Sequence, residues 1–552
     1  MGSHVSKLKQ PSKLLNHILD QPELPSIIQN LDPGILTKLI RHVGLEDSAQ
    51  IVSLATAEQL KNVLDEDLWY SEAPGREETF DAVRFGLWLE IMKENGSAFA
   101  ARRVMELDED LVTLGLCQLV LVAGIDDPSF CMSDNLRPVD GNILEKALDS
   151  SLNQRFGNYL VIAKNHSSWD AVLALMMELN ELDYDKLIRL LNRCCRISGE
   201  YLEDNGGLLH VLTAGEMLEE DVSAERQERR EGRGFVTPTS AAAFLRQARS
   251  TALKKMIASK TMDYGSRAYF TAAETQTEAA VGPQTSESLS GKGDSKSIEL
   301  KVIRFIQTLQ DAEVLPASDY KRLLGYDGDE SWAHHLPLAE AMNFISQKEP
   351  ALYSQRLTEL SYVSNLLISG CGLKGRTFQP KEAAEAAFSV CNLGSELLIK
   401  ADAESEENPP IDPWTTLLKR HHLVKLFQVG WKILFDNVVL YTAKAVLEFF
   451  YLLKNDMRDP EQAYETSHLF NRLRCCILCG RPWEFNEEMD YLQIFFDGET
   501  SMAIAELLRE YPTLSEVICK QGDHRLSPFI RSQTHIRSIR RFLQGVLRYG
   551  GD

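Results

Sequence analysis

Apolar residues recur along this chain at helical spacing. Leu36, Leu39, Ile40 and Val43 form one such stripe; Ile536, Ile539, Leu543 and Val546 form another. Polar start signals precede the stripes. Asp32-Pro33 supplies a carboxylate for the unpaired N–H groups of a first helical turn and a proline where no N–H is needed. Asp127-Pro128, Thr237-Pro238, Asp412-Pro413 and Asp459-Pro460 repeat the device. Thr56-Ala-Glu-Gln59 reads as a capping box, with hydroxyl and amide each taking a backbone N–H. There is no series of alternating strands and no Asn-Gly hairpin. The predicted fold class is all-α.

Thr271 to Ser297 breaks this pattern. It is Thr, Ser, Gln, Gly, Ala and Glu with almost no large apolar residue, too little to offset chain entropy by burial. It predicts a linker over 271–297 between a domain at 5–270 and a C-terminal helical domain at 298–552. Asp221 to Gly234 is densely charged and reads as an exposed loop or a solvated helix end. Phe235-Val-Thr-Pro238 then opens a helix running to about Arg249.

The first domain repeats itself. Arg84-Phe-Gly-Leu-Trp-Leu-Glu-Ile-Met-Lys93 matches Arg155-Phe-Gly-Asn-Tyr-Leu-Val-Ile-Ala-Lys164, and Val104–Asp108 resembles Met176–Asn180. Leu-Asp-Glu-Asp-Leu occurs at Leu64–Leu68 and again at Leu107–Leu111. From Leu39 to Leu64 the expected order is a helix, a turn at Gly44, a helix bearing Ala49 and a helix bearing Leu60. Short helical units cover their apolar faces by stacking, so the expected N-terminal architecture is a helical-repeat superhelix.

Pro25-Ser-Ile-Ile-Gln-Asn-Leu-Asp-Pro-Gly-Ile-Leu and Ile51-Val-Ser-Leu-Ala-Thr-Ala-Glu-Gln-Leu carry a resemblance. Residues 24–119 resemble the N-terminal superhelical domain of MgtE-type magnesium transporters. In that family the domain contributes acidic side chains to regulatory Mg²⁺ sites; transport itself is not implied, because the transporter's membrane half has no counterpart here. The whole chain is also similar to an uncharacterised bacterial family of helical proteins, a domain of unknown function. The phrases Arg233–Pro238, Gly370-Cys-Gly-Leu-Lys-Gly-Arg376, Ala387–Gly394 and Phe427-Gln-Val-Gly-Trp431 carry that likeness.

Composition narrows the function. The 552 residues are 44% hydrophobic and 25% charged, with 59 Lys+Arg against 80 Asp+Glu and a net charge of −21. The apolar content excludes a disordered chain, and the net charge argues against nucleic acid as a partner. Leu111–Ile125 is too short to span a membrane, and Lys444 interrupts the run at Val438–Leu453, so no transmembrane segment is expected. Met1-Gly-Ser-His4 lacks the apolar core of a signal peptide. The ten cysteines sit mostly in apolar helical contexts, as free core thiols do, so a cytoplasmic location is expected.

The charge is polarised. Residues 51–150 hold 8 basic and 20 acidic side chains, whereas His524–Gly551 holds six arginines and no acid. Asp65, Asp67, Asp108 and Asp110 are the candidate Mg²⁺ ligands, although carboxylates at helix starts also serve as caps. Arg537, Arg540 and Arg541 are the candidate partner-binding residues; their basic helix also suits peripheral contact with an anionic membrane. No catalytic residues and no cofactor are assigned. Cys476-Ile-Leu-Cys479, preceded by Cys475, lacks the second pair that structural zinc needs and reads as packing thiols. The adjacent pairs His334-His335 and His421-His422 are poor chelates, because neighbours on a helix diverge. The glycine-rich stretch Ser369–Gly375 lacks a P-loop ending and reads as a tight turn. Trp332, Trp414, Trp431, Phe449, Phe450 and Trp483 read as core.

The leading expectation is therefore a non-enzymatic scaffold or regulatory protein. Its partner would be another protein, or a second copy of the chain, bound through helical-repeat surfaces. The alternatives are a Mg²⁺-responsive regulator and an enzyme or small-ligand binder using the C-terminal domain near His422, Cys371 or Arg376.

Overall fold

The computed structural model describes residues 11–21, 23–124, 152–164, 166–203, 213–259, 262–263, 265–267, 269–271, 292–312, 314–315, 336–405, 410–456, 460–519 and 527–547. Helices dominate them. In chain order they are α1 (Pro11–Leu19), α2 (Leu24–Gln29), α3 (Pro33–Val43), α4 (Ala49–Leu54), α5 (Ala57–Asp67), α6 (Ala82–Glu94), α7 (Ser97–Glu106), α8 (Glu109–Leu119), α9 (Trp169–Leu182), α10 (Tyr184–Glu203) and α11 (Ala214–Glu231). They continue as α12 (Pro238–Ser250), α13 (Leu253–Ala258), α14 (Lys292–Asp311), α15 (Pro337–Lys348), α16 (Pro350–Gly370), α17 (Pro380–Ser405), α18 (Pro413–Arg420), α19 (Leu423–Leu434), α20 (Leu440–Asp456), α21 (Pro460–Leu478), α22 (Gly498–Leu507) and α23 (Gln533–Val546). A π-helical turn, Phe435–Val439, joins α19 to α20, and a 3₁₀ segment, Pro482–Ile494, follows α21. The fold class is all-α. Among the described residues, no helix is long and apolar enough to cross a membrane.

The local start signals act as their chemistry requires. Asp32 Oδ1 accepts from the N–H groups of Gly34 and Ile35, and Thr56 and Gln59 form the reciprocal capping box. Thr237 and Asp412 cap α12 and α18 through Ser240 and Thr415. Asp127 and Asp459 lie outside the described residues. The order expected between Leu39 and Leu64 is present as α3, a turn at Gly44 with φ 99°, α4 and α5.

The internal repeat is not a structural repeat. Arg84–Lys93 lies in α6, whereas Arg155–Lys164 is chiefly a hairpin, β4 (Asn153–Phe156) and β5 (Tyr159–Ala163), with β5 also paired to β3 (Val120–Gly124). Asp81 accepts from Arg84 N and starts the helix. The second copy instead has Gly157 at φ 55°, followed by Asn158, a glycine-first two-residue turn. The shared glycine serves two purposes. Gly86 lets Ser168 approach so closely that a Cβ would lie 2.2 Å from its Oγ, whereas Gly157 supplies the left-handed backbone. The two Leu-Asp-Glu-Asp-Leu phrases also differ: one ends α5, the other begins α8. Two further short hairpins exist, β1 (Trp69–Tyr70) with β2 (Thr79–Phe80) and β6 (Gly372–Leu373) with β7 (Arg376–Thr377).

The chain divides into two compact units, each with its own hydrophobic core. The first falls within residues 1–70, 78–229 and 283–317; the second within 71–77, 230–282 and 318–552. The boundary therefore precedes the expected one at 270, because α12 packs on α16 and α19 of the second unit. Conversely, α14 packs on α2 in the first unit. Of the expected linker, 272–291 lies outside the described residues and 292–297 belongs to α14.

In the second unit α17 and α19 approach backbone to backbone. A Cβ on Gly394 would lie 2.0 Å from Leu426 O, and one on Gly430 would lie 1.9 Å from Val390 O. Around this contact Trp431 is buried, stacks on Phe427 at 5.9 Å and donates to Leu245 O.

Candidate functional site

The acidic residues singled out from sequence form ion pairs in the first unit. Asp65 and Asp67 are two residues apart at the end of α5 and diverge around the helix. Asp65 is buried. Its carboxylate accepts two bonds from Arg229, Nε to Oδ2 at 3.0 Å and Nη2 to Oδ1 at 2.8 Å. Such bidentate bonds, aided by charge, raise the Arg229 pKa above its ordinary value. Asp108 lies 3.7 Å from Arg229 Nη1 and 2.7 Å from Lys61 Nζ. Asp67 accepts from Arg84 Nε at 2.7 Å and Trp88 Nε1 at 2.8 Å. Asp110 pairs with Arg193.

Thus Asp65 and Asp108 meet around one guanidinium, while Asp67 and Asp110 each meet another. Among the described residues, no group of three or more His, Cys, Asp or Glu side chains is placed to hold a metal ion. The array ties α5, α6, α8, α10 and α11 together by charge.

The stretch at Asp221–Gly234 lies largely in helix rather than in an exposed loop, and two of its arginines are partners that sequence reasoning missed. Arg226 is buried: it donates to the Asp65 carbonyl and to Glu78 Oε2, and its guanidinium lies 4.8 Å from the centroid of Trp69. The only local signal was the i, i+3 spacing of Arg226 and Arg229, which puts both on one helix face. A polar cavity of about 380 Å³ also opens between α6 and α9, lined by Glu90, Lys93, Glu94, Ser167, Asp170 and Ala171.

The second unit buries a charged group of its own. Arg356 and Glu359, one turn apart on α16, are 4% and 2% exposed and meet at 2.6 Å. Glu359 Oε1 lies 2.7 Å from His422 Nδ1, and Oε2 accepts from Leu423 N at 2.7 Å. Glu359 thereby caps α19 from outside that helix. Arg356 Nε donates to Leu418 O, one of the last carbonyls of α18, which have no partner within the helix. Burial lowers the Arg356 pKa, opposed by the charge of Glu359. The His422 side chain is 42% exposed. Among the described residues, no hydroxyl or thiol is bonded to the other ring nitrogen, Nε2.

The other expected members of a C-terminal site are not gathered there. Cys371 is buried. Arg376 makes two bonds to Glu382, at 2.8 and 2.7 Å, and Lys374 pairs with Glu506. Their loop is the tight turn expected, with φ 53° at Lys374 and 84° at Gly375.

Near the π-helical turn, Arg249 pairs with Glu510 at 2.7 Å and lies over Trp483 at 4.5 Å. Lys432 reaches both Arg249 O and Asp436. Trp332, His334 and His335 lie outside the described residues. Of the three cysteines Cys476 is buried, while Cys475 and Cys479 are exposed, Cys479 just past the end of α21.

The three arginines of α23 divide. Arg540 turns toward Asn437, with a bond of 2.9 Å, and lies over Tyr441 at 4.9 Å. Arg537 and Arg541 are exposed, one turn apart. Opposite them, His535, Ile536, Ile539 and Leu543 are buried. Glu396 accepts from Gln533 N at the start of this helix; burial raises its pKa, opposed by that bond and by Arg537.

Tyr362 gives the second unit an alkaline sensitivity. Burial pushes its phenol up to about 12, with Ser266 hydrogen-bonded to it. An unfolded tyrosine ionises near pH 10. Between these values the unfolded chain has lost the proton that the folded chain keeps, so stability falls as pH rises. The contribution is intact below about pH 10 and is lost as pH passes about 12, in total about 3 kcal/mol. Urea unfolding at pH 9 and pH 11 should therefore fall less steeply with pH for Tyr362→Phe than for the parent chain. Parallel slopes would contradict this.

These features define an all-α protein of two units, each with its own hydrophobic core and its own internal ion pairs. Residues 3–195 are similar to a family of unknown function, DUF6178. That match stops within α10, short of Arg226 and Arg229. No curated protein and no solved structure matches the chain.

Proposed function

We propose that this is a non-enzymatic, cytoplasmic scaffold or regulatory protein that binds another protein. One observation carries the reading: in a chain of net charge −21, the outer face of α23 presents Arg537 and Arg541 to solvent one turn apart. Paired guanidinium groups at this spacing suit carboxylates on an acidic partner. The buried opposite face anchors the helix and lowers the cost of ordering the contact. The nine described cysteines are free thiols, which supports a reducing compartment. The Mg²⁺-responsive reading has less support, because Asp65, Asp67, Asp108 and Asp110 are engaged by arginine, lysine and tryptophan donors.

A pull-down at low and high salt tests the proposal, using the parent chain and the double variant Arg537→Glu, Arg541→Glu. The expected result is a stoichiometric acidic partner at low salt that is lost at high salt and absent with the variant. A partner retained by the variant, or reproducible failure to recover one, would refute it.

A further inference from the structure

Helices α8 and α10 pack on one another in the first unit, and their contacts advance together along both. Asp110 pairs with Arg193, Cys194 Sγ lies 4.0 Å from Thr113 O, and Val122 N, just beyond α8, donates to Ser198 Oγ at 3.3 Å. Cys117 stands one turn past Thr113, on the same face of α8. Both cysteines belong to the first core, Cys117 6% exposed and Cys194 fully buried. There the two thiols meet, with the Cys194 side chain hydrogen-bonded to that of Cys117. Cys391 is packed differently: its Sγ lies against the Leu423 carbonyl at 3.6 Å.

The two sulfurs are not equivalent. The bond from Cys194 holds the Cys117 thiol below its ordinary pKa; Lys164 and Arg193 act in the same direction, and burial opposes them. The same bond, together with burial, raises Cys194. Lys164 is fixed at this spot because its Nζ donates to Cys117 O at 2.7 Å. A thiol held toward thiolate beside cations is the nucleophilic kind, and a protonated thiol touching it is placed to resolve what forms there. Cys195, next along α10, diverges by about 100° from Cys194. The exposed thiols, Cys475 and Cys479, belong to the second unit.

We propose that Cys117 and Cys194 are a dithiol site for hydrogen peroxide, closing reversibly to a disulfide between α8 and α10. Cys117 Sγ attacks one peroxide oxygen and the O–O bond breaks. The leaving hydroxide takes up the proton that Cys117 gave up, and departs as water. A sulfenic acid is left on Cys117. Cys194 Sγ then attacks Cys117 Sγ, the S–O bond breaks, and the hydroxide released takes the Cys194 proton as a second water. The thiols are oxidised by two electrons and the peroxide is reduced by the same two. A small-molecule thiol reverses the change by exchange. The disulfide fastens the helix that bears Arg193 to the helix that bears Asp110. The site does not rest on the acidic partner of α23.

Peptide mapping of the full chain by mass spectrometry tests this, in a Cys475→Ser, Cys479→Ser background that removes the two exposed thiols. After about one equivalent of hydrogen peroxide per chain, the expected product has lost about 2 Da. It carries Cys117 and Cys194 in one linked peptide and regains both thiols with dithiothreitol. Burial pushes the Cys371 and Cys391 thiols up, so both should stay reduced. Adding Cys194→Ser should leave a sulfenic acid on Cys117, trapped by dimedone. The mapping itself changes neither cysteine of the pair, so it stands even where that variant misfolds. Free thiols at both positions after about 1 mM peroxide overturn the proposal. So does irreversible sulfinic acid on Cys117 in the chain that keeps Cys194, or a link from Cys117 to Cys195 instead.

Discussion

Gly430→Ala is expected to destabilise the second unit by about 3 kcal/mol or more. The new methyl carbon would lie 1.9 Å from Val390 O, well inside contact distance, and the obstacle is backbone rather than a movable side chain. Relief requires α17 and α19 to separate. That would loosen the packing around Phe388, Phe427 and Trp431, all buried. Gly394→Ala makes the reciprocal clash with Leu426 O at 2.0 Å and should behave alike. Gly480→Ala is the contrasting case. Its φ is 71° but nothing lies within 4 Å of the added carbon, so only backbone strain remains, about 1 kcal/mol. Hydrogen exchange resolved to α17 and α19 reports the second unit separately from the first. Equal protection in the Gly430→Ala and Gly480→Ala chains would show that the close approach does not limit stability.

Glu359→Ala should be comparably severe, about 3–5 kcal/mol, because it leaves Arg356 charged and buried without its counter-ion. It also removes the acceptor for Leu423 N, so α19 loses its cap. The companion variant Arg356→Met, Glu359→Leu removes both charges and keeps apolar volume. It still leaves Leu418 O and Leu423 N without those partners, so it should be destabilised, but by clearly less than the sum of the single changes. Urea unfolding of Arg356→Met, Glu359→Leu and the double variant supplies the cycle. Additive losses would mean that the pair contributes no coupling, and the buried ionic account would fail.

Much of the helical framework was legible in local sequence. Asp32, Thr56, Thr237 and Asp412 cap helices because a cap involves only the next two or three N–H groups. The α23 stripe was equally clear, because burial of Ile536, Ile539 and Leu543 follows helical period. The strands were less legible. Gly157-Asn158 is a turn signal, but the matching helical phrase at Arg84 obscured it. Strand β5 also depends on pairing with β3, nearly forty residues earlier in the chain.

The candidate sites divide along the same line. Asp65, Asp67, Asp108 and Asp110 stood out as an acidic set, yet Arg229 and Arg84 reach them from other helices. Glu359 and Arg356 drew no notice, since an Arg-x-x-Glu pair on a helix is ordinary until both members are buried.

By itself the sequence determined that the chain is helical, where many of its helices begin, and that its charge is uneven. These follow from interactions among residues a few positions apart. Only the tertiary structure decided that Asp65, Asp67, Asp108 and Asp110 are taken up by arginines, that one Arg-Phe-Gly phrase is helix and the other hairpin, and that Gly394 and Gly430 meet a facing backbone. Each depends on groups far apart in the chain, whose distances arise only when the cores close.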